Sequence, residues 1–65
     1  MQYFTADRVR ETLNTKERDG QAKVTFRLGE TDTAWNPAST KKFIHGPGAV
    51  TYTRHRDGGI DTEVR

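Results

Sequence analysis

From Gln21 to Leu28 polar and apolar residues alternate without interruption. Ala22, Val24, Phe26 and Leu28 fall on one side of an extended chain, and Gln21, Lys23, Thr25 and Arg27 on the other. Successive side chains of a strand point to opposite faces, so this period of two predicts a strand with one buried face. Ahead of it the period changes. Ala6, Val9 and Leu13 recur at i, i+3 and i+7, the stripe of an amphipathic helix. Thr5 suits an N-cap, Asp7 the first turn, and Gly20 a left-handed stop, which sets the helix between Thr5 and Asp19. Phe4 and Val9 then have the spacing of a hydrophobic staple. So thin a stripe cannot sustain a helix alone and must lie against a sheet.

Beyond Leu28 the pattern is more broken. Gly29–Asp32 reads as a turn, and Thr33-Ala34-Trp35 as a second strand that Pro37 ends or confines to an edge. Lys41–His45 is a short strand with Phe43 and Ile44 on opposite sides, and Gly46-Pro47-Gly48 interrupts again. Ala49–Arg56 and Ile60–Arg65 form a hairpin. A three-residue loop, Asp57–Gly59, keeps Val50, Tyr52, Ile60 and Val64 on one face. It pairs Arg56 with Ile60, Arg54 with Thr62 and Tyr52 with Val64, and sets His55 across from Asp61. Gly59 would take the positive φ that a type I turn with a bulge requires. The expected fold is α+β, a single N-terminal helix packed on a small antiparallel sheet of three to five strands, within one small domain spanning residues 1–65. The helix should cover Val24, Phe26, Leu28, Val50, Tyr52 and Val64. The opposite face would carry Lys23, Thr25, Arg27, Thr51, Thr53 and His55.

Composition narrows the classes. A chain of 65 residues buries only about 60% of its unfolded surface. It has no cysteine, which removes disulfides and thiolate metal clusters as supports. Hydrophobic and charged residues each make up 31%, enough for one thin core, and the net charge is +2. No apolar run approaches the ~20 residues that cross a bilayer. Met1-Gln2-Tyr3-Phe4 lacks the basic region and apolar core of a signal peptide. The expectation is a cytoplasmic protein with no membrane partner.

The charges are unevenly distributed. Thr33–Arg56 contains Lys41, Lys42, Arg54 and Arg56, together with His45 and His55, and none of the 9 acidic residues. Trp35, Phe43 and Tyr52 are interspersed there. Cations interleaved with aromatics suit a surface for nucleic acid, DNA or RNA, or for another acidic partner. The leading expectation is a non-catalytic nucleic-acid-binding module that contacts phosphates through a basic sheet face. Lys41, Lys42, Arg54 and Arg56 are its principal contacts, Lys23 and Arg27 secondary ones, and His55 a pH-dependent contributor. Trp35, Phe43 or Tyr52 would stack on bases if exposed. The rival from another class is a protein-interaction module, an inhibitor or adaptor that docks on an acidic surface of a larger enzyme, one that handles nucleic acid included. Intermixing of Glu30, Asp32, Asp61 and Glu63 with the basic side chains would favour docking over phosphate binding. Exposed sheet edges and a thin core also favour a homodimer.

Other chemistry is weakly represented. Ser39-Thr40-Lys41-Lys42 has Ser-x-x-Lys spacing and, after Pro37-Ala38, resembles the active-site tetrad of penicillin-recognising serine enzymes. The resemblance covers about seven residues, the family's two further motifs are missing, and this chain is too short for a two-domain cleft. The stretch reads as a polar loop. His45 and His55 match no zinc spacing, and His45-Gly46-Pro47-Gly48 is too short for a phosphate loop. No catalytic residue, metal ligand or cofactor is expected.

Overall fold

The computed structural model describes residues 2–39 and 41–65. Its helix α1 spans Ala6–Arg18 and begins as its capping residues dictate. Thr5 is extended, and its Oγ1 accepts the Arg8 N–H at 3.2 Å. At the other end Gly20 takes φ +82°, the Gly20 N–H donates to the Glu17 carbonyl and the Gln21 N–H to that of Lys16. These paired bonds form a Schellman motif, which satisfies carbonyls the helix itself cannot. Val9 and Leu13 are fully buried, and Phe4 joins them in the core as the staple requires. Burying a Val or Leu is worth about 1.5–3 kcal/mol, so packing rather than propensity holds this helix.

The main sheet has three antiparallel strands: β2 (Lys23–Leu28), β5 (Gly48–Arg54) and β6 (Ile60–Val64), with β5 central. Val24 lies opposite Tyr52 and Phe26 opposite Val50. Tyr52 is the centre of the core. Its ring sits 5.9 Å from both Phe26 and Trp35, and its hydroxyl donates to the Trp35 carbonyl at 2.5 Å. A second sheet is made of β1 (Tyr3–Phe4), β3 (Thr33–Ala34) and β4 (Ile44–His45). β1 runs parallel to β3, and β4 antiparallel to it. Phe4, Ala34 and Ile44 are buried in the common core, which turns Tyr3, Thr33 and His45 outward. The Asp32 carboxylate braces this sheet, accepting the Gln2 N–H at 2.9 Å and the Gly29 N–H at 2.8 Å.

A single N-terminal helix thus packs on a small sheet region, an α+β fold. Several details depart from the sequence reading. The strands divide between two sheets, and one pair is parallel because β1 precedes the helix and returns beside β3. β2 begins at Lys23, and Ala22, whose carbonyl still accepts the Arg54 N–H at 2.8 Å, is exposed at its end. The hairpin loop has three residues, but they are Arg56–Gly58. The His55 carbonyl accepts the Gly58 N–H at 3.0 Å, and the His55 N–H donates to Gly59 at 2.8 Å. Gly58, not Gly59, takes the positive φ, and Asp57 Oδ1 accepts the Gly59 N–H at 2.8 Å. That Asp side chain secures the turn one residue earlier than expected. Arg54 therefore faces Ile60, Tyr52 faces Thr62, and Val50 faces Val64. A shift of two in the pairing preserves the faces. It also places Val64 at the end of the sheet, 56% exposed rather than under the helix.

Candidate nucleic-acid interface

The cations that crowd one stretch of sequence are separated by the fold. Arg54 shares the helix side of β5 with Val50 and Tyr52. Its guanidinium donates to Asn14 Oδ1 at 2.8 Å and Glu17 Oε2 at 3.2 Å, tying β5 to α1. Only 21% of its side chain is exposed, on the opposite side of the sheet from Lys23 and Arg27. Arg56 is exposed in the hairpin turn.

Lys23 and Arg27 lie on the open face of the main sheet, where the register defines three cross-strand rows. These are Lys23–Thr53–Asp61, Thr25–Thr51–Glu63 and Arg27–Ala49–Arg65. The β2 margin is basic, the middle is neutral, with a 2.9 Å hydroxyl bond between Thr25 and Thr51, and Asp61 and Glu63 occupy the β6 margin. Acids and bases thus share this face, on opposite margins. His55 belongs to the same face and its Nε2 contacts Asp61 Oδ2 at 2.5 Å. The hydrogen bond to Asp61, followed by the charge of that carboxylate, holds the imidazole pKa above its ordinary 6.5. Glu63 is engaged by Arg65 at 3.1 Å.

Lys41 and Lys42 are placed differently. Both are exposed on the segment that leads into β4, and neither forms an ion pair among the described residues. They run directly into Phe43, which is 47% exposed because Ile44 takes the inward position. Phe43 packs edge-to-face on Tyr3, 39% exposed, with ring centres 5.3 Å apart and planes at 87°. His45 and Thr33 continue this outward face of the second sheet. The result is a pair of exposed aromatic rings, one of which directly follows two exposed lysines along the chain.

Of the aromatics considered from sequence, Phe43 alone is an exposed candidate, since Tyr52 is buried and Trp35 is half-buried between Tyr52 and Arg10. Tyr3 was missed. Its signal lay in the staple: once Phe4 points inward toward Val9, an extended chain turns Tyr3 outward. The Ser39–Lys42 stretch is described on either side of Thr40, which lies outside the described residues. There the Lys41 N–H donates to Ser39 Oγ at 3.3 Å, and the flanking residues are turn and irregular backbone, without the helix that would bring a lysine amine beside the serine. Among the described residues no cluster of three His, Cys, Asp or Glu could hold a metal, and no helix is long and apolar enough to cross a membrane. No family model, curated protein or solved structure matches this chain.

Proposed function

We propose that this chain is a small non-catalytic module that binds single-stranded nucleic acid through the outer face of its second sheet. The observation that carries the reading is the exposed Tyr3–Phe43 pair beside Lys41 and Lys42. A chain this poor in apolar residues would gain stability by burying those rings fully, yet it leaves 39% of Tyr3 and 47% of Phe43 exposed. Exposed rings next to cations form a platform on which bases stack while ammonium groups meet phosphates. Stacking needs unpaired bases, hence the single-strand preference. Arg54 supports the fold in this reading, and the mixed charges around Lys23 and Arg27 suit phosphates poorly.

Fluorescence anisotropy with labelled single- and double-stranded DNA and RNA tests the assignment. Two lysine–phosphate contacts contribute about −1.4 to the log–log salt slope on a single strand, which Lys41→Ala with Lys42→Ala should remove. Phe43→Ala should cost about 1–3 kcal/mol, the worth of one stacked base. Lys23→Ala with Arg27→Ala should leave affinity within about twofold. No binding at ~50 mM salt, or equal binding by the lysine and Phe43 variants, overturns the reading.

The open face favours a second reading, protein docking. Its alternation of acid, neutral and basic positions fits a surface of matching mixed charge better than a uniformly anionic polymer.

A further inference from the structure

One face of the main sheet packs on the core, and the other, with Lys23, Thr25, Arg27, Asp61 and Glu63 exposed, is covered by no element among the described residues. Its charges are graded across the strands, Lys23 and Arg27 on the β2 margin and Asp61 and Glu63 on the β6 margin, which Arg65 continues. A surface with opposite charges on opposite margins complements itself, provided a second copy is turned so that each margin meets its opposite.

We propose that two copies of this chain pair face to face through the open side of the main sheet, about a two-fold axis parallel to β5. The charges choose that axis. It carries β2 of one copy over β6 of the other, so Lys23 meets the second copy's Asp61 and the β5 threonines meet across the middle. The alternative in-plane axis, across the strands, lays β2 over β2 and brings Lys23 against Arg27. Edge pairing of two β6 strands about Thr62 fares no better, because Asp61 would oppose Glu63. In the favoured arrangement Arg27 lies opposite the second copy's Arg65, whose guanidinium is already held by its own Glu63. Arg27 is long enough to reach that Glu63 diagonally, which offsets the like-charge contact.

Strands spaced about 4.8 Å apart give a face roughly 10 Å wide and 15–20 Å long. That is well below the ~800 Å² per partner of stable complexes, and the middle is polar. The pairing is therefore weak, reversible and salt-sensitive, with dissociation constants of about 0.1–1 mM. The inference deepens the docking reading of the open face and is independent of the oligonucleotide site. A chain that binds oligonucleotide yet stays monomeric loses the pairing alone.

Sedimentation velocity across a concentration series tests it, using two charge-reversed variants. One carries Lys23→Glu and Arg27→Glu, the other Asp61→Lys and Glu63→Lys. All four positions are exposed, so each variant should fold, and circular dichroism checks that it does. The wild-type weight-average mass should rise to roughly 1.5–1.8 times the monomer near ~1 mM in ~50 mM salt and return to monomer in ~0.5 M salt. Each variant alone should remain monomeric, while an equimolar mixture should regain the dimer, because reversed margins then meet each other. A monomeric wild type, or variants that dimerise alone as well as the wild type does, overturns the proposal, as does a mixture of monomeric variants that fails to recover the dimer.

Discussion

Replacing Tyr52 with Phe removes one oxygen from the middle of the fold and leaves the packing of the ring in place. The hydroxyl donates to the Trp35 carbonyl at 2.5 Å, and the side chain is fully buried. An internal hydrogen bond contributes about 0.5–1.5 kcal/mol net, and stranding the carbonyl of half-buried Trp35 adds part of a desolvation penalty. The expected loss is about 1–2 kcal/mol. In a domain of this size each kcal/mol lowers Tm by about 4–8 °C, so a fall of roughly 5–15 °C follows. The same hydroxyl also makes stability depend on alkaline pH. Burial, with a smaller push from Tyr3, raises the phenol pKa from 10.0 to about 12. The native state then keeps a proton that the unfolded chain releases above 10, and this contribution, complete below pH 10, disappears as pH rises toward 12. Two pH units set a ceiling near ~3 kcal/mol, which solvent screening in so small a fold reduces to about 1–2. Urea unfolding followed by the fluorescence of Trp35, the one tryptophan, should show the wild-type advantage narrowing between about pH 9 and about pH 11. Equal stability at neutral pH, with a gap that does not change with pH, would refute the reasoning.

Arg54→Met keeps the aliphatic stem but breaks the ties to Asn14 and Glu17, so it should cost about 1 kcal/mol in urea unfolding while oligonucleotide affinity stays within about twofold. Lost affinity at unchanged stability would return Arg54 to the interface. Asp61→Asn should bring the His55 titration, followed by NMR of its ring protons, back toward 6.5. Because the folded pKa is raised, the pair stabilises the fold below pH 6.5, and that contribution fades as pH rises through the His55 midpoint. The stability difference between wild type and Asp61→Asn should shrink in the same direction, and a His55 midpoint indifferent to Asp61→Asn contradicts the assigned contact.

The helix and the first long strand were legible because each signal is local. Thr5, Gly20 and the Val9–Leu13 stripe specify their element without reference to the rest of the chain, and the alternation from Val24 to Leu28 does the same. The second sheet was legible only in part: Thr33–Ala34 and Ile44–His45 fall within expected strands, whereas Tyr3–Phe4 was not read as one. Its strands are two residues each, too short for any period to show, and what makes them strands is the pairing of Tyr3–Phe4 with Thr33–Ala34 across the whole helix and β2. The hairpin marks an intermediate case. Side-chain matching recovers which residues share a face, because any even shift of register preserves it. The choice between even shifts rests on turn chemistry, and there Asp57 accepting the Gly59 N–H decides.

The candidate site follows the same physics one level up. A run of cations in sequence becomes a patch only if the backbone sends them to one side, and a strand sends neighbours to opposite sides. Arg54 and His55 are adjacent, yet one braces the helix and the other contacts Asp61 on the open face. The acids absent from Thr33–Arg56 return to Lys23 and Arg27 in space, because β6 is the third strand of their sheet. Lys41 and Lys42 escape this redistribution. They lie on irregular backbone before β4, and the inward turn of Ile44 forces Phe43 outward beside them. The part of the basic segment least organised by secondary structure is thus the part that keeps its charge beside an exposed aromatic surface, which is why the proposed contact falls there.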